Sequence, residues 1–203
     1  MTLAALPNAL TWFRLLAAPL VALLMLAGGT GAAWIAFVLF VVAAVTDFID
    51  GYLARKLNVI SALGTMLDPI ADKLLVAAAL MMLVANGAIP GAGVVAAVII
   101  LVREVFISGL REFLAGLNAT GLPVSRLAKW KTAAQMAAIT LLILSGWSGL
   151  WAPFELAGHG LLIVAAILTV VTGWQYGRAG IARIVAADRA RRATGSPGDG
   201  RDP

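Results

Sequence analysis

Long apolar runs alternate along the chain with short breaks built from glycine, proline, asparagine or charged residues. A helix that crosses the hydrocarbon core of a bilayer needs ~20 mostly apolar residues. Six stretches meet that requirement: about 9–27, 33–54, 69–87, 91–114, 127–147 and 157–178. The breaks contain turn-forming residues: Gly28-Gly29-Thr30-Gly31, Asn86-Gly87 through Pro90-Gly91, the segment Asn118 to Pro123, and Gly149 to Pro153. The pattern predicts an all-α integral membrane protein, with one six-helix catalytic domain over 1–190. A polar tail rich in glycine and proline follows over 191–203 and is expected to be disordered.

Composition agrees with this reading. Of 203 residues, 62% are apolar and 12% charged, against roughly 25% charged in a soluble domain, which excludes a water-soluble fold. There are no cysteines, so disulfide and thiol chemistry are excluded. Leu15 to Ala27 resembles the apolar core of a signal peptide, but no positive charge precedes Arg14. It is read as a retained first helix.

The net charge of +5 could suggest nucleic acid, but its distribution points to membrane topology. All 15 Lys and Arg fall on one side of the predicted bundle, in or beside the loops after helices 2, 4 and 6 and at Arg14, Lys73 and Arg103. The opposite loops hold only Glu155 and His159 as ionisable residues, and His159 is read as an interfacial bystander. By the positive-inside rule both termini are expected in the cytoplasm, at a bacterial inner membrane. Trp34, Trp147 and Trp151 fall at the outer interface and Trp12, Trp130 and Trp174 at the inner one, as belt residues should.

Four aspartates carry the chemistry. Asp47 and Asp50 close helix 2; Asp68 and Asp72 open helix 3. Spacings of i,i+3 and i,i+4 put each pair on one helix face, and the short intervening loop sets the pairs side by side at the cytoplasmic boundary. Four converging carboxylates without matched partners would repel one another. Arg55 and Lys73 offset part of this, whereas two divalent cations would neutralise all four. An all-oxygen ligand set with room for water and phosphate suits Mg²⁺ or Mn²⁺. Gly51 and Ala54 keep the adjoining surface open to a ligand, and Arg55 adds a fork that can hold a diphosphate. These features describe a metal-nucleotide pocket.

The pattern Asp47-x2-Asp50-Gly51-x2-Ala54-Arg55-x8-Gly64-x3-Asp68-x3-Asp72 resembles, at every position, the signature of the CDP-alcohol phosphatidyltransferases. The resemblance implies a six-helix homodimer with its active site open to the cytoplasm and inner leaflet. It further implies Asp47, Asp50, Asp68 and Asp72 as ligands of two metal ions, Asp72 as the proposed base, and Gly51, Ala54, Arg55, Ser61 and Gly64 as lining of the CDP site. Pro7-Asn8-x2-Thr11-x2-Arg14 is also similar to the family, where the segment helps hold the nucleotide.

The acceptor is read from the basic residues further along. Arg103, Ile107 and Arg111 share one face of helix 4, beside Glu104, Ser108 and Glu112, while Lys129 and Lys131 lie across the next loop. Arg103, two turns inside the helix, needs an anionic partner: Glu104, the aspartates or a substrate phosphate. A phosphorylated acceptor fits that need better than serine or choline, which makes Arg103, Arg111, Lys131 and Lys129 candidates for binding its phosphate. Arg103 to Glu112 and Leu127 to Met136 also resemble bacterial phosphatidylglycerophosphate synthases. The likeness, which runs over about 7–140, implies CDP-diacylglycerol and sn-glycerol 3-phosphate as substrates. Alternatives are another acceptor such as inositol phosphate or serine, a membrane prenyltransferase, and a divalent-cation transporter with the aspartates as its transport site.

Overall fold

The computed structural model describes the backbone of residues 6–57, 62–116, 125–145 and 152–194, and side chains over 8–46, 64, 66–116, 125–145 and 152–189. Within these bounds the chain is all helical. The elements are α1 (Leu6–Ala27), α2 (Thr30–Leu57), α3 (Ala62–Ala85), α4 (Ala92–Gly116), α5 (Arg126–Ser145) and α6 (Ala152–Thr194). Helix α1 packs on α2 and α3, α5 and α4 pack on α6, and α5 also meets α2 and α3.

Glycines stop the helices where the sequence indicates. Gly28 and Gly29 follow α1 with φ of 73° and 84°, and Gly87 follows α3 with φ of 74°, a region costly to any residue with a Cβ. Asn86 then donates from its side chain to the Met25 carbonyl at 3.1 Å, tying the ends of α1 and α3 together. At the other end of the bundle Ser125 caps α5. Its hydroxyl accepts from the Ala128 amide at 3.2 Å, satisfying one of the free donors of the first turn.

Two boundaries differ from the sequence expectation. The apolar run places the third helix over about 69–87; it starts at Ala62, with Pro69 inside it. Pro69 is the eighth residue of the helix, past its first turn, and has no N–H to donate to the carbonyl four residues back. Helix α6 runs 43 residues to Thr194, about 65 Å at 1.5 Å per residue, where the sequence suggested an end near 178. Residues 191–194, assigned to the disordered tail, are therefore helical, and 195–203 lie outside the described residues. No proline follows Pro153 and no glycine follows Gly180 until Gly195. Ile184 also packs on a second small core of Ile107, Leu114 and Tyr176, which supports the helix beyond the apolar run.

The main core consists of buried stripes at helical spacing, including Ala18, Val21 and Met25 on α1, Leu75, Ala79 and Leu83 on α3, and Ala138, Ile139 and Leu142 on α5. Large apolar residues also point outward, among them Leu16, Leu20 and Leu23 on α1 and Val95, Val98 and Val102 on α4. Such extensive apolar exposure is the mark of a lipid or partner surface. Among the described residues Asn8–Ala27, Ala92–Gly116 and Ala152–Arg189 are long and apolar enough to cross a membrane. The apolar part of α2, Thr30–Thr46, is shorter. Helix α3 carries Asp68, Asp72 and Lys73, and α5 carries Lys129, Lys131 and Gln135.

Candidate active site

The buried stripe of α1 turns polar towards its start. Below Ala18 and Ala17 it continues as Arg14 and Thr11, both buried, Arg14 with 0% exposure. The facing stripe of α3 does the same, ending in Asp72 and Asp68 above Leu75. Packing the apolar ends together therefore brings the polar ends into register. Arg14 forms an ion pair with Asp72 and a second with Asp68 at 3.1 Å, and the Thr11 hydroxyl donates to Asp68. Arg14 was expected at the nucleotide; here its guanidinium bridges two of the four motif carboxylates.

Burial is one-sided in this cluster. The arginine is enclosed, while the Asp68 and Asp72 side chains keep 47% and 41% of their surface. Both carboxylates are thus close to half exposed. Lys73, next in sequence, donates instead to the Pro69 carbonyl at 2.8 Å. Asp47, Asp50, Gly51, Ala54 and Arg55 belong to the last third of α2, whose side chains lie outside the described residues; so does Ser61 in full. Gly64 is buried in the first turn of α3, and Asn8 is half-buried in α1. Asp68 and Asp72, on one helix face and about half exposed, are of the residue type that suits part of an all-oxygen site for a hard divalent cation.

A second cluster gathers on α4, α5 and α6. Glu104 pairs with Lys131 and with Arg103, the latter at 3.1 Å. The other arm of Arg103 donates to the Thr172 hydroxyl at 3.3 Å, and that hydroxyl in turn donates to the Leu168 carbonyl at 2.7 Å. Among the partners left open for Arg103 by the sequence, Glu104 is the one it meets. Lys131 is 4% exposed, whereas Arg111 and Lys129 are exposed and make no ion pair among the described residues. The guanidinium carbons of Arg103 and Arg111 stand 5.8 and 5.3 Å from the centre of one ring, that of Tyr176. Two cations, Arg103 and Lys131, thus share the Glu104 carboxylate, and Arg111 stands near them over the Tyr176 ring.

Helix α6 contributes residues that sequence reasoning did not single out: Thr172, Gly173 and Tyr176. A signal was present. Gly173, Gly177 and Gly180 recur on α6 at helical spacing, the small-residue pattern of closely packed membrane helices. A Cβ on Gly173 would lie 3.1 Å from the Arg103 Cγ, and one on Gly180 2.5 Å from a Leu110 methyl. The glycines let the α4 side chains lie flat on α6, and so put Arg103 beside Thr172. Tyr176 is also one of only two tyrosines in the chain.

Comparison with known proteins places these residues in context. The family model for CDP-alcohol phosphatidyltransferase matches residues 4–174. A protein of Rickettsia typhi named CDP-diacylglycerol–glycerol-3-phosphate 3-phosphatidyltransferase is 43% identical over 174 residues, covering 86% of this chain and 96% of its own. Proteins of the same name in Cereibacter sphaeroides and Bacillus subtilis are 42% and 43% identical, covering 85% and 68% of this chain and 93% and 69% of their own.

Proposed function

The chain belongs to the CDP-alcohol phosphatidyltransferase family, and from this we propose that it transfers the phosphatidyl group of CDP-diacylglycerol to sn-glycerol 3-phosphate, giving phosphatidylglycerophosphate and CMP. The similarity to named enzymes of that activity supports the substrates. The observation that carries the acceptor assignment is the charge excess on α4–α6. Arg103, Arg111 and Lys131 against Glu104 leave two positive charges, matching a phosphomonoester, which is close to dianionic at neutral pH. Serine and choline present no such group.

In this reading all six helices span the membrane, with both termini and the active site at the cytoplasmic side of a bacterial inner membrane. The three long apolar helices and the one-sided placement of the basic residues support it. The cysteine-free chain allows a direct check with Gly116→Cys and Glu155→Cys. A membrane-impermeant thiol reagent should label the two from opposite faces of sealed vesicles; labelling from the same face overturns the topology. The enzyme is further read as a homodimer, as the family resemblance implies.

Asp47, Asp50, Asp68 and Asp72 would hold two divalent cations, Mg²⁺ or Mn²⁺. When bound, these supply positive charge to the diphosphate and to the departing CMP. The protein's own groups do the rest. Asn8, Thr11, Gly51, Ala54, Arg55, Ser61 and Gly64 line the CDP-lipid site, and Arg14 holds Asp68 and Asp72 in place for it. Arg111 and Lys131, with Arg103 and the exposed Lys129, bind the acceptor phosphate. This leaves the primary hydroxyl to attack the β-phosphorus in line. Asp72 orients that hydroxyl and receives its proton, although neighbouring cations make a carboxylate a weak acceptor.

CMP release from CDP-diacylglycerol in detergent micelles tests the assignment. Release is expected only with glycerol 3-phosphate and a divalent cation both present. Release with serine or inositol phosphate alone overturns the acceptor, and no release with any alcohol favours the transporter reading.

A further inference from the structure

An arginine that must bind a phosphate in a protein needs to be held without being used up. A carboxylate partner would hold Arg111 but would occupy the N–H edge that grips phosphate. An aromatic ring attracts the flat face of the guanidinium and leaves that edge free. Arg111 is held in this second way: its guanidinium carbon lies 5.3 Å from the Tyr176 ring centre, and no acceptor takes its N–H groups among the described residues. Arg103, 5.8 Å from the same ring, differs in having its arms committed to Glu104 and Thr172.

The other end of Tyr176 is also engaged. Its phenol oxygen accepts from the Ser125 amide at 2.8 Å. Ser125 caps α5, and Lys131 lies in the second turn of that helix, paired to Glu104. One side chain, 5% exposed, therefore braces two guanidinium groups with its ring and fixes the start of the helix that carries the third cation.

We propose that Tyr176 is the positioning residue of the acceptor-phosphate site, holding Arg111 by its face so that its N–H edge is free for the phosphomonoester. The inference rests on the functional reading above and adds to it a residue on α6 that touches no substrate. It separates two properties of the side chain. The ring sets phosphate affinity; the hydroxyl sets the register of α5.

The test uses the full chain in detergent micelles. Tyr176→Phe keeps the ring, and the KM for glycerol 3-phosphate should stay within about threefold of wild type. Replacing that phenylalanine with ring-fluorinated analogues of rising fluorine content removes the negative face at nearly constant shape. The acceptor KM should then climb stepwise, to about tenfold for the fully fluorinated ring, while the KM for CDP-diacylglycerol and the melting temperature stay fixed. A flat acceptor KM across the series overturns the proposal, as does a parallel rise of both KM values with falling melting temperature. Binding of inorganic phosphate, measured by calorimetry on the same proteins, should weaken in step. This arm separates the two claims. If wild-type turnover ignores glycerol 3-phosphate, the functional reading fails, and phosphate affinity that still tracks fluorination upholds the role of Tyr176. Phosphate affinity indifferent to fluorination removes that role whatever the acceptor.

Discussion

On the α1–α3 side two carboxylates, Asp68 and Asp72, share one buried guanidinium; on the α4–α6 side two cations, Arg103 and Lys131, share one carboxylate, Glu104, with Arg111 near them. In each cluster the minority charge is the one that organises the others. Arg14 draws two aspartates to one point, and Glu104 draws Arg103 and Lys131 to another. The majority charge is of opposite sign in the two places, which under the proposed function would suit a cation in the first and a phosphate in the second. The comparison teaches that, under the proposed function, joining a metal-bound diphosphate to a phosphorylated alcohol would draw on two charge clusters of opposite sign, held apart on separate helices.

Several experiments would break or sharpen that contrast. Removing divalent cations with a chelator should abolish turnover, and Mg²⁺ or Mn²⁺ should restore it; activity surviving chelation would mean the acidic cluster is balanced without metal. Asp72→Asn should come next, lowering turnover by about a thousandfold or more, in line with loss of a group that acts as part of a unit. CDP-lipid binding by the variant should remain measurable, and near-normal activity would take Asp72 out of the mechanism. On the basic side, Arg111→Gln should raise the KM for glycerol 3-phosphate about 10- to 100-fold, the worth of a charged hydrogen-bonded contact. The KM for CDP-diacylglycerol should hold, so equal effects on both substrates would erase the distinction between the clusters.

Smaller effects probe the frame around each cluster. Arg14→Leu leaves two carboxylates facing each other without their cation. Because both aspartates are half open to solvent, the loss is discounted from that of a fully buried pair to about 2 kcal/mol. Unfolding of the metal-free protein should report it, with added Mn²⁺ recovering part of the loss. Stability unchanged by the substitution would show that the bridge does not organise the acidic side. Gly173→Ala should matter least. Its Cβ would crowd Arg103 at 3.1 Å, which is expected to raise the acceptor KM a few-fold while the better helix propensity of alanine leaves stability nearly level.

Several features could be read without coordinates. The six helices follow from hydrophobic length, and glycine breaks at 28–29 and 87 mark their ends, because positive φ excludes other residues. The acidic motif was legible because its members lie within residues 47–72, where their spacing can be read from the sequence alone. Even the partner of Arg103 had been narrowed to three choices, Glu104 among them. The extent of α6 was not legible, since its continuation to Thr194 depends on Ile184 finding the core around Ile107 and Leu114. Membrane length criteria have no term for such a contact.

The amino-acid order thus determined the helices and the acidic motif with its family. These depend on local periodicity and on spacing within one or two helices. Tertiary structure decided which charges meet. Arg14 reaches Asp68 and Asp72 across more than fifty residues, and Tyr176 reaches Ser125 across a similar gap. Such pairings are set by which apolar stripes pack together and by whether glycines such as Gly173 let two helices approach. Those packings, more than the charges themselves, give each polar end its partner.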